Sequence, residues 1–115
     1  MRTLTTRDAD GIARAMLERA AFRTHGALSG GPVTVGSASR LGRLPDEHRS
    51  LWRQGVILAN NGHQLYAIWS YETPIAWRVD GGAWIVPDEG YSTTTSRHQS
   101  RVAFAIHLAG NGGPR

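Results

Sequence analysis

Between Leu65 and Pro87 apolar residues occupy both odd and even positions, and this constrains the fold more than any other stretch of the chain. Four segments read as strands of an antiparallel meander, at about 56–60, 63–71, 74–79 and 83–87. Asn61-Gly62 and Asp80-Gly81 read as two-residue hairpin turns, because both central positions of the favoured turn need positive φ. With a Glu72-Thr73 loop between the middle strands, Tyr66, Ile68, Ser70, Ile75, Trp77, Trp84 and Val86 share one face, Trp77 lying opposite Trp84 and Ile75 opposite Val86. The other face carries Leu58, Leu65, Ala67, Trp69, Tyr71, Ala76 and Ile85. A face that meets water alternates apolar with polar residues, and neither of these does. The sheet is therefore covered by helices on both sides, curled on itself, or used as a binding surface.

Three segments read as helices. Thr5-Thr6-Arg7-Asp8 imitates a capping box, and Ile12, Ala15, Met16 and Ala20 form one apolar stripe, which predicts a helix over about 7–22. Pro45-Asp46-Glu47 suits a first turn, where a missing N–H costs nothing and negative charge is favoured. That second helix is expected to stop at Gly55. Ser96-Arg97-His98-Gln99 forms a Ser-x-x-Gln capping box for the last helix, with Val102, Ala105, Ile106 and Ala109 buried. Gly110 ends it, and 110–115 is expected to be a disordered tail. Gly and Ser punctuate 26–42, which reads as a loop or linker with a short strand near 32–35. Its glycines lack the spacing of a phosphate-cradling motif. At 115 residues the whole chain, 1–115, makes one domain.

Cysteine is absent, which removes disulfides, thiolate chemistry and Cys-based zinc sites. No segment has the length and apolarity of a signal peptide or a membrane span, so a soluble cytoplasmic protein is expected. All 13 basic residues are Arg and the net charge is +4. Arginine suits phosphate and aromatic stacking, although GC-rich codons produce the same bias. Catalysis is disfavoured: His98 and His107 lie about 180° apart on a helix, and neither HExxH nor Gly-x-Ser-x-Gly occurs. No cofactor and no metal is implied.

One candidate site is the start of the last helix. Its free backbone N–H groups suit a phosphate or carboxylate, Thr94, Thr95 and Ser96 add hydroxyls, and Arg97, His98 and Arg101 add charge or donors. The simpler alternative is that Ser96 and Gln99 cap the helix while the threonines bond a turn. A second candidate is an aromatic platform of Trp52, Trp69, Trp77 and Trp84 beside Arg78 and Arg97, which would stack bases if exposed and form core if buried.

Ser70-Tyr71-Glu72-Thr73-Pro74-Ile75-Ala76-Trp77, then Val86-Pro87-Asp88, then Tyr91-Ser92-Thr93-Thr94-Thr95-Ser96-Arg97-His98-Gln99 resemble a small domain of actinobacterial phages and their hosts. That domain pairs Tyr-x-Thr-Pro-Ile-Ala with Tyr-Ser-x-Thr-Thr-Ser-x-His-Gln, and its members often carry Gly where this chain has Glu72. The resemblance implies a phage or mobile-element setting and an accessory protein acting on nucleic acid or a host protein. The expectation is thus an α+β domain, a small antiparallel β-meander flanked by an N-terminal and a C-terminal helix. It binds nucleic acid or another phosphorylated ligand at Thr94, Thr95, Ser96, Arg97, His98 and Arg101. The alternative is a protein-interaction module, a homodimer or an inhibitor of a host factor, using a Trp-bearing sheet face.

Overall fold

The computed structural model describes residues 2–80 and 82–109. A short strand, β1 (Arg2–Leu4), leads to α1 (Ala9–Leu17), whose N-cap is Asp8: its carboxylate accepts the Gly11 N–H at 2.9 Å. The helix stops five residues earlier than its apolar spacing predicts. Arg19 takes φ 53°, the Ala20 N–H reaches the Ala15 carbonyl at 2.9 Å, and the Arg19 N–H reaches Met16 at 3.2 Å. This is a Schellman stop without its usual glycine, so nothing in the sequence marks it. Phe22 is thereby freed to enter β2 (Phe22–Thr24), parallel to β1.

The segment expected to be a loop contains β3 (Leu28–Pro32), antiparallel to β2 with Phe22 opposite Gly30. A Cβ on Gly30 would lie 2.5 Å from Phe22 Cε1. The glycine that argued against a strand is the one that makes room for the ring above it.

Helix α2 (Asp46–Asn60) runs through Gly55, so the strand expected at 56–60 is its last third. Trp52, Val56 and Ala59 form its inner stripe, and Gly55 lets it approach the sheet, since a Cβ there would meet Leu65 Cδ1 at 3.2 Å. Asn61-Gly62 is a helix stop and not a hairpin. Gly62 has φ 96°, its N–H bonds Ala59 at 3.3 Å, and the His63 N–H bonds Leu58 at 3.1 Å. Both structures need a glycine at positive φ, which is why the dipeptide alone could not separate them.

The central hairpin is β4 (Leu65–Ser70) and β5 (Thr73–Val79), joined by Tyr71-Glu72, with Tyr71 at φ 57°. The turn is one residue earlier than expected. A bulge also intervenes: Ile68 pairs with Ala76 but Trp69 with Pro74, leaving Ile75 extra. Ile75 and Ala76 therefore both enter one core while Trp77 turns to the other. Trp77 bridges Ile85, not Trp84, and no strand forms at 83–87 among its described residues.

The five strands lie in the order β1-β2-β3-β4-β5, and all neighbours except β1 and β2 are antiparallel. This α+β sheet is covered on both faces. On one side Ile12, Ala15 and Met16 of α1 pack with Val102 and Ala105 of α3 (Thr93–His107) against Phe22, Tyr66, Ile68 and Ile75. On the other, α2 presses Trp52 onto Trp69 and Trp77, with ring centroids at 6.1 and 5.2 Å in edge-on geometry. Three of the four tryptophans are thus core, and the Trp-bearing face is not available as a surface. Trp84 packs on Tyr66 at the opposite face, under the Arg78 guanidinium. The tail at 110–115 lies outside the described residues.

Candidate functional site

Helix α3 begins one turn before the expected capping box. Ser92 is the N-cap, accepting the Thr95 N–H at 3.2 Å, and Gln99 turns away to donate to the Glu89 carbonyl at 2.9 Å. The added turn is anchored from inside. Thr95 and His98, three residues apart, face the sheet and are 5% and 4% exposed. Ser70 Oγ, at the end of β4, sits 2.7 Å from His98 Nδ1 and 3.0 Å from Thr95 Oγ1, while the Ser92 hydroxyl donates to Thr95 Oγ1 at 3.2 Å. Burial holds the His98 pKa below its ordinary value, so the ring is neutral at physiological pH.

The six residues expected at the site therefore divide between two sides of α3. Thr95 and His98 belong to the buried network. Thr94, Arg97 and Arg101 fall at i, i+3 and i+7 on the outer side, and Phe104 continues that stripe for roughly 15 Å in all. With Ser100 and the edge of His98, they form one wall of an open groove of about 630 Å³. Thr6 and Arg7, from the loop between β1 and α1, form the other wall. Ser96 is exposed and does not line this groove; its carbonyl accepts the Ser100 hydroxyl at 3.2 Å.

Among the described residues no carboxylate lines this groove. Arg7, Arg97 and Arg101 make no ion pair or side-chain hydrogen bond with other described residues, whereas Arg2 engages Glu18, Arg40 engages Glu72 and Arg49 caps the Leu44 carbonyl. Three unneutralised guanidinium groups around one hollow raise its positive potential and favour an anion. Arg7 and Phe104 escaped the sequence reading for different reasons. Arg7 is brought in only by tertiary folding. Phe104 was visible, as an aromatic off the buried stripe Val102, Ala105 and Ile106.

Across Thr94 lies a second hollow of about 460 Å³, bordered by Arg43, Tyr71, Glu72, Thr73, Tyr91 and Ser70, the Glu72 carboxylate being paired with Arg40. The Tyr91 hydroxyl is buried there without a hydrogen-bond partner among the described residues, and burial pushes its pKa up. Elsewhere Glu47, His48 and Glu89 bring one ligand atom each within 4.8 Å of one another. His48 Nε2 lies 3.1 Å from Glu89 Oε1, a contact that ties the start of α2 to the segment before α3.

Residues 42–108 match the model of a family described as "Family of unknown function (DUF8033)". The chain belongs to that family. The DUF8033 segment contains α2, β4, β5 and α3, hence all six candidate residues and Ser70, but not Thr6 or Arg7. No curated protein and no solved structure matches the chain.

Proposed function

We propose that this DUF8033 protein binds nucleic acid or another phosphorylated ligand, without catalysis, in the groove between α3 and the loop at Thr6 and Arg7. The observation that carries the reading is the convergence of Arg7, Arg97 and Arg101 on one hollow that no carboxylate lines among the described residues. Thr94 offers a hydroxyl beside them. Thr95 and His98 act indirectly, by fixing the first turn of α3 to Ser70. The motif resemblance supports a phage-type accessory protein.

The test is fluorescence anisotropy with labelled oligonucleotides at two salt concentrations, on wild type, Arg97→Ala and Arg101→Ala after folding is checked. Salt-sensitive binding weakened by both changes is expected. No retention at low ionic strength by folded wild type ends the reading.

A protein-interaction role is the rival. Its surface would be the outside of α2, where Leu51, Ile57 and Leu58 are 40%, 58% and 43% exposed, and not the covered tryptophans.

A further inference from the structure

From the exposed rings that flank the arginines we infer that the ligand of this groove is single-stranded nucleic acid, held by phosphate contacts to arginine and by bases stacked on Phe104 and Tyr71. The inference rests on the anion-groove reading and narrows it to one class. Phe104 is 54% exposed and lies on the same side of α3 as Arg97 and Arg101. Phe104 belongs to neither hydrophobic cluster among the described residues, and about half of its surface stays open to a partner. Tyr71 is 55% exposed at the tip of the β4–β5 hairpin and borders the second hollow beside Arg43. Its ring centroid is 6.4 Å from that of His98, and His98 in turn edges the arginine groove. Thr94 borders both hollows, and each holds a ring and at least one guanidinium, the second beside a Glu72 carboxylate that Arg40 already pairs.

The chemistry of the two hollows separates single strands from the alternatives. Every base has a π-face, and stacking on an aromatic side chain stabilises an unpaired base without regard to sequence. In a duplex those faces are already stacked on neighbouring pairs and are closed to a side chain. Inorganic polyphosphate carries the charge but has no ring to offer.

The experiment compares four short ligands of matched length at equal salt: a mixed-sequence single strand, its duplex, an abasic single strand and inorganic polyphosphate. They are titrated against wild type, Phe104→Ala, Phe104→Trp and Tyr71→Leu, each shown to fold by circular dichroism and thermal melting. Tyr71→Leu keeps a bulky side chain at the hairpin position of positive φ. The single strand should bind at least about tenfold more tightly than the other three, and Phe104→Ala should lose roughly 5- to 150-fold for it alone. The salt slope should stay unchanged in that variant, and Phe104→Trp should restore affinity. Equal binding of abasic strand, duplex and single strand, with Phe104→Ala neutral, would overturn the single-strand inference while leaving the anion groove standing. Retention of no ligand by folded wild type would remove both.

Discussion

Ser70 Oγ and His98 Nδ1 lie 2.7 Å apart in the interior, and this contact joins the end of β4 to the first turns of α3. Ser70 is 1% exposed, and no other hydrogen-bond partner of His98 Nδ1 is found among the described residues. Ser70→Ala leaves a buried imidazole nitrogen unpaired and should cost about 1–3 kcal/mol in denaturant unfolding. Because α3 carries Arg97 and Arg101, the same variant should also weaken oligonucleotide binding without touching the ligand. A stability unchanged by Ser70→Ala would remove the network as the anchor of α3.

The same histidine gives the stability a pH dependence of definite sign. Its pKa in the folded protein is depressed below 6.5 by burial, so near and below that value the unfolded chain binds a proton that the native state refuses. Stability then rises with pH wherever the unfolded state holds more protons. The His98 contribution is full above about pH 6.5 and is lost as pH falls toward the folded pKa. Thermal melts of wild type and His98→Asn over pH 5 to 8 should diverge at the acid end, with the variant showing the shallower slope. Asn can offer its side-chain amide near the position of Nδ1 and does not titrate. Parallel profiles would show that His98 does not set the acid slope.

Two glycines separate backbone strain from steric blockage. Gly42 sits at φ 47°, and a Cβ there would lie 2.3 Å from Thr73 Oγ1 and 2.7 Å from the Glu72 backbone. Gly62 sits at φ 96° with nothing within 4 Å. Gly62→Ala should cost only the left-handed penalty, about 1–2 kcal/mol, and Gly42→Ala about 1–3 kcal/mol more, from the added crowding. The measurement is the urea midpoint of each, and equal losses would mean that the 40–44 segment does not rest on the hairpin.

These glycines also show where the sequence was readable. The β4–β5 pair followed from two strand-like apolar runs around a short turn, whereas apolar residues at odd and even positions left cover by helices, a curled sheet and a binding surface equally open. The stops and bulges did not follow. Asn61-Gly62 serves a hairpin or a Schellman stop equally well, Arg19 ends α1 without any glycine, and the bulge at Ile75 reverses Trp77 with no residue that announces it. The candidate site was half legible for the same kind of reason. Local spacing on α3 fixes that Thr94, Arg97 and Arg101 share a side, whereas the sorting of Thr95 and His98 inward depends on Ser70, more than 20 residues away in sequence.

The covered tryptophans make a spectroscopic prediction. Trp52 donates Nε1–H to the Ala38 carbonyl at 2.8 Å and meets Trp69 and Trp77 edge-on. Trp52→Ala should cost about 3–5 kcal/mol. In the wild type most indole fluorescence should resist acrylamide, with the accessible fraction removed by Trp84→Phe. Strong quenching of all four rings in the native protein would contradict the packing of α2 on the sheet.

Arg7 tests whether the groove has two working walls. It precedes the DUF8033 segment and is brought opposite Arg97 and Arg101 only because β1 and α1 pack beside α3. If a strand lies between the walls, Arg7→Ala should weaken oligonucleotide binding by an amount comparable to Arg97→Ala. Each change should also reduce the magnitude of the salt slope by about 0.7, the value for one phosphate contact to a single strand. Arg53→Ala removes the same charge from an exposed position on α2, across the sheet, and should leave the slope unaltered. Because the net charge falls equally in both variants, a loss confined to Arg7 assigns the effect to position and not to bulk electrostatics. Equal losses in Arg7→Ala and Arg53→Ala would mean that the protein attracts polyanions diffusely, and the groove would no longer be the site.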